Sequence, residues 1–157
     1  MPIYLVQHGK SLSKELDGEK GLSPEGRADV ERIAQVARGY GVPVARIKHS
    51  GKKRARETAE IFGAVLGLQG GIQASDGLNP LDDVTSVAPD LRSSDNLMLV
   101  GHLPFMEKLV SQLIIGSADC KVFRFQNGGI VCVEQEPETG LWMITWSLMP
   151  SIGKEWT

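Results

Sequence analysis

Apolar positions along this chain follow two periods, and the alternation between them predicts the architecture. Residues 3–6, Ile-Tyr-Leu-Val, form an unbroken apolar run of the kind found in a strand covered on both faces. After a polar loop, Ser23-Pro24-Glu25 supplies a cap, a first-turn proline and a first-turn acid, which predicts a helix over 24–38 that Gly39 and Gly41 stop. A short strand is expected over 46–50. Ala55, Thr58, Ala59, Phe62, Val65 and Leu66 then recur at helical spacing, predicting a second helix over 52–66, ended by Gly67, Gly70 and Gly71. Another buried strand is read over 96–100, and Pro104 opens a helix with the stripe Phe105, Met106, Leu109, Val110, Leu113 and Ile114.

The last third changes period. Residues 121–125 and 130–133 flank Gln126-Asn127-Gly128-Gly129, a hairpin signal, and 141–148 supplies a further strand, all expected to be antiparallel. No repeat, low-complexity segment or linker divides the chain. Strands alternating with helices predict parallel βα units, and the simplest account is one mixed α/β domain over residues 1–157.

Composition narrows the function more than the fold. With 17 basic and 19 acidic side chains the formal charge is −2, so nothing pulls the whole chain toward nucleic acid or an anionic membrane. The N-terminus lacks the basic and apolar regions of a signal peptide, and no run of about 18 apolar residues occurs, so a cytoplasmic location is expected. Cys120 and Cys132 are read as reduced and buried.

Chemistry is expected outside the carboxyl ends of the strands, where helices begin. Three segments meet that description: Gln7-His8-Gly9, residues 50–54, and Gly101-His102. The ending of Tyr4-Leu-Val-Gln-His-Gly-Lys-Ser11 imitates a P-loop, but that loop needs a glycine where Tyr4 stands, so the nucleotide cradle is rejected. No two histidines lie three or four residues apart and no cysteine accompanies them, so neither a metal site nor a metal cofactor is expected. There is no Gly-x-Ser-x-Gly elbow either. His8 and His102 remain as candidate nucleophile or base, whereas His49, inside a strand end, reads as a packing residue.

The cluster Lys48-His-Ser-Gly-Lys-Lys-Arg-Ala-Arg56 lacks interleaved aromatics, and recognition of a small anion by one arginine suits it better than nucleic acid. Arg54 and Arg56 stand about 200° apart around a helix, so only one faces a given pocket. Spacing does not say which. Glu60, one turn from Arg56, is a surface partner for it and favours Arg54 as the pocket residue.

Gln7-His8-Gly9 after the first strand, then Ser50-Gly-Lys-Lys-Arg-Ala-Arg-Glu-Thr-Ala59, then Gly101-His102-Leu103-Pro104, resembles the histidine phosphatase superfamily. The short length and Leu22-Ser-Pro-Glu-Gly-Arg27 look more narrowly like its small SixA-type phosphohistidine phosphatases. The resemblance runs from residue 3 to about 150. It implies a three-layer α/β/α fold, like that of phosphoglycerate mutase, around a mixed, mostly parallel sheet. It also implies a metal-independent hydrolase without cofactor, in which His8 attacks phosphorus and holds it as a covalent phosphohistidine. Arg54 clamps the phosphoryl oxygens, His102 donates to them as charge builds, and Gln7, Gly9 and the Leu103 N–H complete the binding site.

The family pattern has arginine where this chain has Gln7, which keeps a donor but loses a charge and a bidentate fork. Lys10 is expected to restore positive potential nearby. For a general acid the equivalent stretch offers Asp82 or Asp83, with turn capping as the plainer reading of both. A phosphoramidate needs less help than an alkoxide ester, and no long insertion lids the pocket, so the implied partner is a phosphohistidine-bearing protein. The alternatives are a general small-molecule phosphomonoesterase and a non-catalytic homologue that binds phosphate or phosphoprotein. Trp142, Trp146 and Trp156 are the places where an interface could hide, with core packing the plainer reading for the first two.

Overall fold

Why the first strand reads as a continuous apolar run is plain from its surroundings. The computed structural model describes residues 2–68, 70–93 and 95–152. β1 (Ile3–Gln7) lies inside a six-stranded sheet, with Tyr4 and Val6 packed among one group of core side chains and Ile3 and Leu5 among another on the opposite face. The first group includes Val30, Ile33 and Ala34 of α1 (Pro24–Gly39) and Ala55, Ala59 and Phe62 of α2 (Lys53–Leu66). The second includes Phe105, Met106, Leu109 and Val110 of α3 (Phe105–Ile115), joined by Val84 from the first of two short 3₁₀ turns, Val84–Ser86 and Ala88–Asp90. Helices therefore cover both faces, giving the expected three layers.

The remaining strands are β2 (Arg46–His49), β3 (Ile72–Ala74), β4 (Leu97–Gly101), β5 (Ile130–Gln135) and β6 (Trp142–Leu148), in the spatial order β3-β2-β4-β1-β5-β6. β1 to β4 run parallel, while β5 is antiparallel to both β1 and β6. The sheet is mixed and mostly parallel, as expected. The α1 start also follows the sequence: Ser23 caps it by accepting from the Gly26 N–H at 3.0 Å. A side chain at Gly26 would overlap the Lys10 carbonyl, so this glycine lets the helix start seat against the loop that follows β1.

Three expectations change. Residues 121–125 form no strand: both edges of β5 are already taken by β1 and β6, and the partner of 130–135 is 142–148. The turn 126–129 instead closes onto β1, with Gly128 N–H donating to the Gln7 carbonyl at 2.8 Å. β3 is a strand the sequence reading passed over, three residues long at the sheet edge. Cys132 is buried, but Cys120 is exposed because the turn after α3 carries it out of the core; both are free thiols.

β6 shows how a bulge sorts one strand between two cores. Its pairing skips Thr145 between Cys132↔Trp146 and Val133↔Ile144. Trp142 and Ile144 consequently pack on the α3 side, and Trp146 and Leu148 on the side of α1 and α2. Trp142 and Trp146 are thus half-buried residues packed against the two cores; Trp156 lies outside the described residues. Among those described, no helix is long and apolar enough to cross a membrane.

Candidate active site

Parallel register brings the two histidines together. Gln7 on β1 sits opposite Gly101 on β4, so the next residue of each strand, His8 and His102, leaves the same rim side by side. Their ring centroids are 4.9 Å apart, and the His8 N–H donates to the Gly101 carbonyl at 3.0 Å. β2 flanks β4 on its other side and delivers Ser50, whose Oγ lies 2.6 Å from Nε2 of His102. The opposite ring nitrogen, Nδ1 of His102, is buried and has no partner among the described residues.

His8 is fixed from several directions. Its Nδ1 donates to the Gly9 carbonyl at 2.7 Å, which sets the tautomer and leaves the lone pair on Nε2. Asn127 Nδ2 donates to the His8 carbonyl at 3.0 Å. The Gly9 N–H donates at 2.9 Å to Thr58 Oγ, which in turn donates at 2.7 Å to the carbonyl of Arg54. The histidine loop and the first turn of α2 are thereby tied through one hydroxyl.

Arg54 stands one turn before Thr58, on the side of α2 that meets the His8 loop, and Arg56 stands on another side. The Arg56 guanidinium pairs with Glu60 at 3.5 Å on the exposed side of α2. Arg54 is half-buried, no carboxylate among the described residues pairs with it, and its charge is felt at both histidines. Burial first, then this charge, pushes the His8 imidazole down to about 4, against the opposing hydrogen bond to Gly9. Burial, followed by His8 and Arg54, pushes His102 down to about 3. Both rings are neutral at pH 7.

A stability consequence follows. Each folded-state value lies below the ordinary histidine value of 6.5, so on acidification the unfolded chain takes up protons first. The stabilisation that comes from burying neutral rings is complete above 6.5 and is lost as pH falls toward about 4 for His8 and about 3 for His102. Urea midpoints should therefore decline between pH 6.5 and 5, before most carboxylates titrate. Midpoints that stay level down to pH 5 would contradict this assignment of buried, neutral rings.

The other sequence-derived candidates fall in different places. Gln7 is buried, and its Oε1 has no partner among the described residues. Gly9 adjoins His8 in the tied loop, and Leu103 stands between His102 and the cis peptide bond to Pro104, two residues before α3. His49 is buried and accepts the Gly51 N–H at 3.0 Å, the packing and turn-holding part expected of it. Lys10 lines the cavity that opens beside His8, where its ammonium forms an exposed pair with Glu25 at 2.7 Å. Asp82 accepts the Asn79 N–H at 2.8 Å. Asp83 caps the first 3₁₀ turn through the Thr85 hydroxyl and N–H, and those bonds hold its carboxyl below the usual range, the opposite of what a general acid at neutral pH requires. Ser50, Thr58 and Asn127 were not singled out from sequence. Ser50 stood within the segment assigned to the rim, but Thr58 was read as core stripe and Asn127 as a hairpin turn.

A parallel sheet with two adjacent neutral histidines and a half-buried arginine at its carboxyl rim is the setting of a phosphoryl-handling α/β protein. Residues 3–82 match the model of the histidine phosphatase superfamily (branch 1), and the chain belongs to that superfamily. Within it the chain is of the SixA type. It is 26% identical to the phosphohistidine phosphatase SixA of Escherichia coli K12 over 156 residues, 96% of this chain and 94% of that protein. A solved structure of the protein histidine phosphatase SixA complexed with tungstate superposes with a TM-score of 0.82 at 26% identity, covering 96% of this chain and 97% of that one. A mycobacterial glucosyl-3-phosphoglycerate phosphatase complexed with VO3 shares the fold at 14% identity, with a TM-score of 0.73 over 92% of this chain and 97% of that one.

Proposed function

We propose that this protein is a metal-independent phosphohistidine phosphatase acting on a phosphorylated histidine carried by another protein, with His8 as its nucleophile. The observation that carries the reading is the Nδ1–Gly9 hydrogen bond of His8, which leaves Nε2 unprotonated beside His102 and near the charge of Arg54. Nε2 attacks phosphorus, the new N–P bond forms as the bond to the substrate imidazole breaks, and that imidazole leaves with a proton taken from water. Arg54 holds the phosphoryl oxygens and His102 stabilises their growing charge. Water then cleaves the phosphoenzyme, giving inorganic phosphate and free His8. Similarity to SixA supports the substrate class. So does an open cavity of about 520 Å³ whose lining includes His8, Lys10, Ser11, Ser13, Glu25 and Asn127, which leaves the nucleophile accessible to a macromolecule.

The test is phosphate release from a phosphohistidine-bearing protein and from an aryl phosphate, with chelator present. Turnover that survives chelation and favours the protein supports the proposal; release from the aryl ester alone replaces it with a small-molecule phosphomonoesterase. A second reading, a homologue that binds phosphate without turnover, draws on Gln7, which brings no charge to the site. The Gln7→Arg variant separates the two. An enzyme short of one charge should gain about ten-fold in kcat/KM, whereas a binding module should stay silent.

A further inference from the structure

The side chain of His102 is 1% exposed, and its Nδ1 is buried without a partner among the described residues. A neutral imidazole carries one proton, so whether Nδ1 is a bare lone pair or an N–H is decided at the opposite nitrogen. There Nε2 lies 2.6 Å from Ser50 Oγ, a distance that fits a hydrogen bond in either direction.

The remaining bonds of the hydroxyl favour one direction. Oγ already accepts the Lys52 N–H at 3.3 Å, and it has no third partner among the described residues. If Nε2 carried the proton, the protein would satisfy neither the serine O–H nor the Nδ1 lone pair. If serine donates, its hydroxyl both accepts and donates within the protein, and Nδ1–H alone is left over. The serine is also held in place for this contact. The His49 ring accepts the Gly51 N–H at 3.0 Å, the His49 carbonyl accepts the Ser75 N–H at 2.8 Å, and Gly51 takes φ 90°, a turn that glycine allows. Residue 50 is clamped between β2 and α2 while its hydroxyl reaches the residue that ends β4.

We propose that Ser50 is the positioning residue of His102: its hydroxyl proton makes Nε2 the acceptor and so puts the ring proton on Nδ1, the donor that His102 uses on the phosphoryl group. The ring centroids of His8 and His102 are 4.9 Å apart, so a phosphoryl group carried by His8 is within reach of the neighbouring ring. A donor that the unliganded protein leaves unmet is one that a phosphoryl oxygen satisfies without first breaking another bond. The proposal rests on the phosphoryl reading of the site.

The experiment reads the imidazole nitrogens of His102 by NMR in the wild type, Ser50→Ala and Ser50→Thr, with and without inorganic phosphate. The His102 signals are assigned by their loss in His102→Gln. Wild type and Ser50→Thr should show Nδ1 protonated and Nε2 bare, Ser50→Ala a mixture of the two tautomers, and phosphate should shift the wild-type Nδ1–H resonance. Ser50→Ala should also lose about ten-fold in kcat with little change in KM, because what it weakens is a donor to developing charge. Threonine should restore the rate. Ser50→Ala added to His102→Gln should cost nothing further, a result that a serine acting only on the fold would not give. If the alanine variant does not fold, the wild-type tautomer decides. Wild-type His102 protonated on Nε2, or an Nδ1–H that saturating phosphate leaves unmoved, would overturn the proposal and leave the phosphatase reading standing. Wild type with Nδ1 protonated and shifted by phosphate, but releasing none from any substrate, would keep the part assigned to Ser50 and remove the phosphatase reading.

Discussion

Replacing His8 by alanine is expected to lower phosphate release by at least about 10⁴-fold, because the variant lacks the atom that forms the N–P bond and no second nucleophile stands in its place. The fold should survive the change. The contacts of His8 with Asn127 and Gly101 use its backbone carbonyl and N–H, which alanine retains, and its ring hydrogen bond closes only onto the adjacent Gly9. Phosphate binding should persist through Arg54, so affinity and turnover part company. Rapid quench with a labelled phosphohistidine protein provides the second readout: wild type should accumulate an acid-labile, base-stable phosphoenzyme, and His8→Ala none. Equal label in both proteins would place the nucleophile elsewhere.

Arg54→Gln is expected to cost about 10² to 10³-fold in kcat/KM, the usual loss when a preorganised donor to a developing oxyanion is removed. The helix should be indifferent, since the Thr58 hydroxyl binds the backbone carbonyl of residue 54 and not its side chain. Arg54→Lys should fall between the two, keeping the charge but losing the planar fork. Removing the guanidinium also takes away one of the charges that depress both imidazoles, so the titrations of His8 and His102 should move upward together. Arg56→Gln is the internal comparison. Its pair with Glu60 is an exposed i,i+4 contact, and the variant should keep wild-type kinetics. A larger loss for Arg56→Gln than for Arg54→Gln would invert the assignment of the pocket.

Most elements were legible because their signals are local. The run of residues 3–6 is apolar since both faces of β1 are covered; Ser23 and Pro24 mark a helix start whose cap bond is internal to the segment. Lys121 to Phe125 shows where this fails. The residues have strand composition, but strand formation needs a free edge, and β5 had none to give. β3 erred the other way: three residues beside Gly70 and Gly71 carry too little pattern to read, yet β2 offered an edge and paired with them.

The sequence by itself determined which residue types lie at the carboxyl rim: His8, Ser50, Arg54 and His102 each directly follow a strand or open the helix after it, an order set by local periodicity and capping. Only the tertiary structure decided their partners. Strand order, a long-range property, put β4 between β1 and β2, setting His102 between His8 and Ser50. The packing of α2 turned Arg54 inward and Arg56 toward Glu60, and the same packing joined Thr58 to Gly9. Lys10 and Lys20 are chemically alike in the sequence; folding sets Lys10 in the lining of the cavity beside His8 and pairs it with Glu25. Charge acts through space, and distance through space is what folding adds.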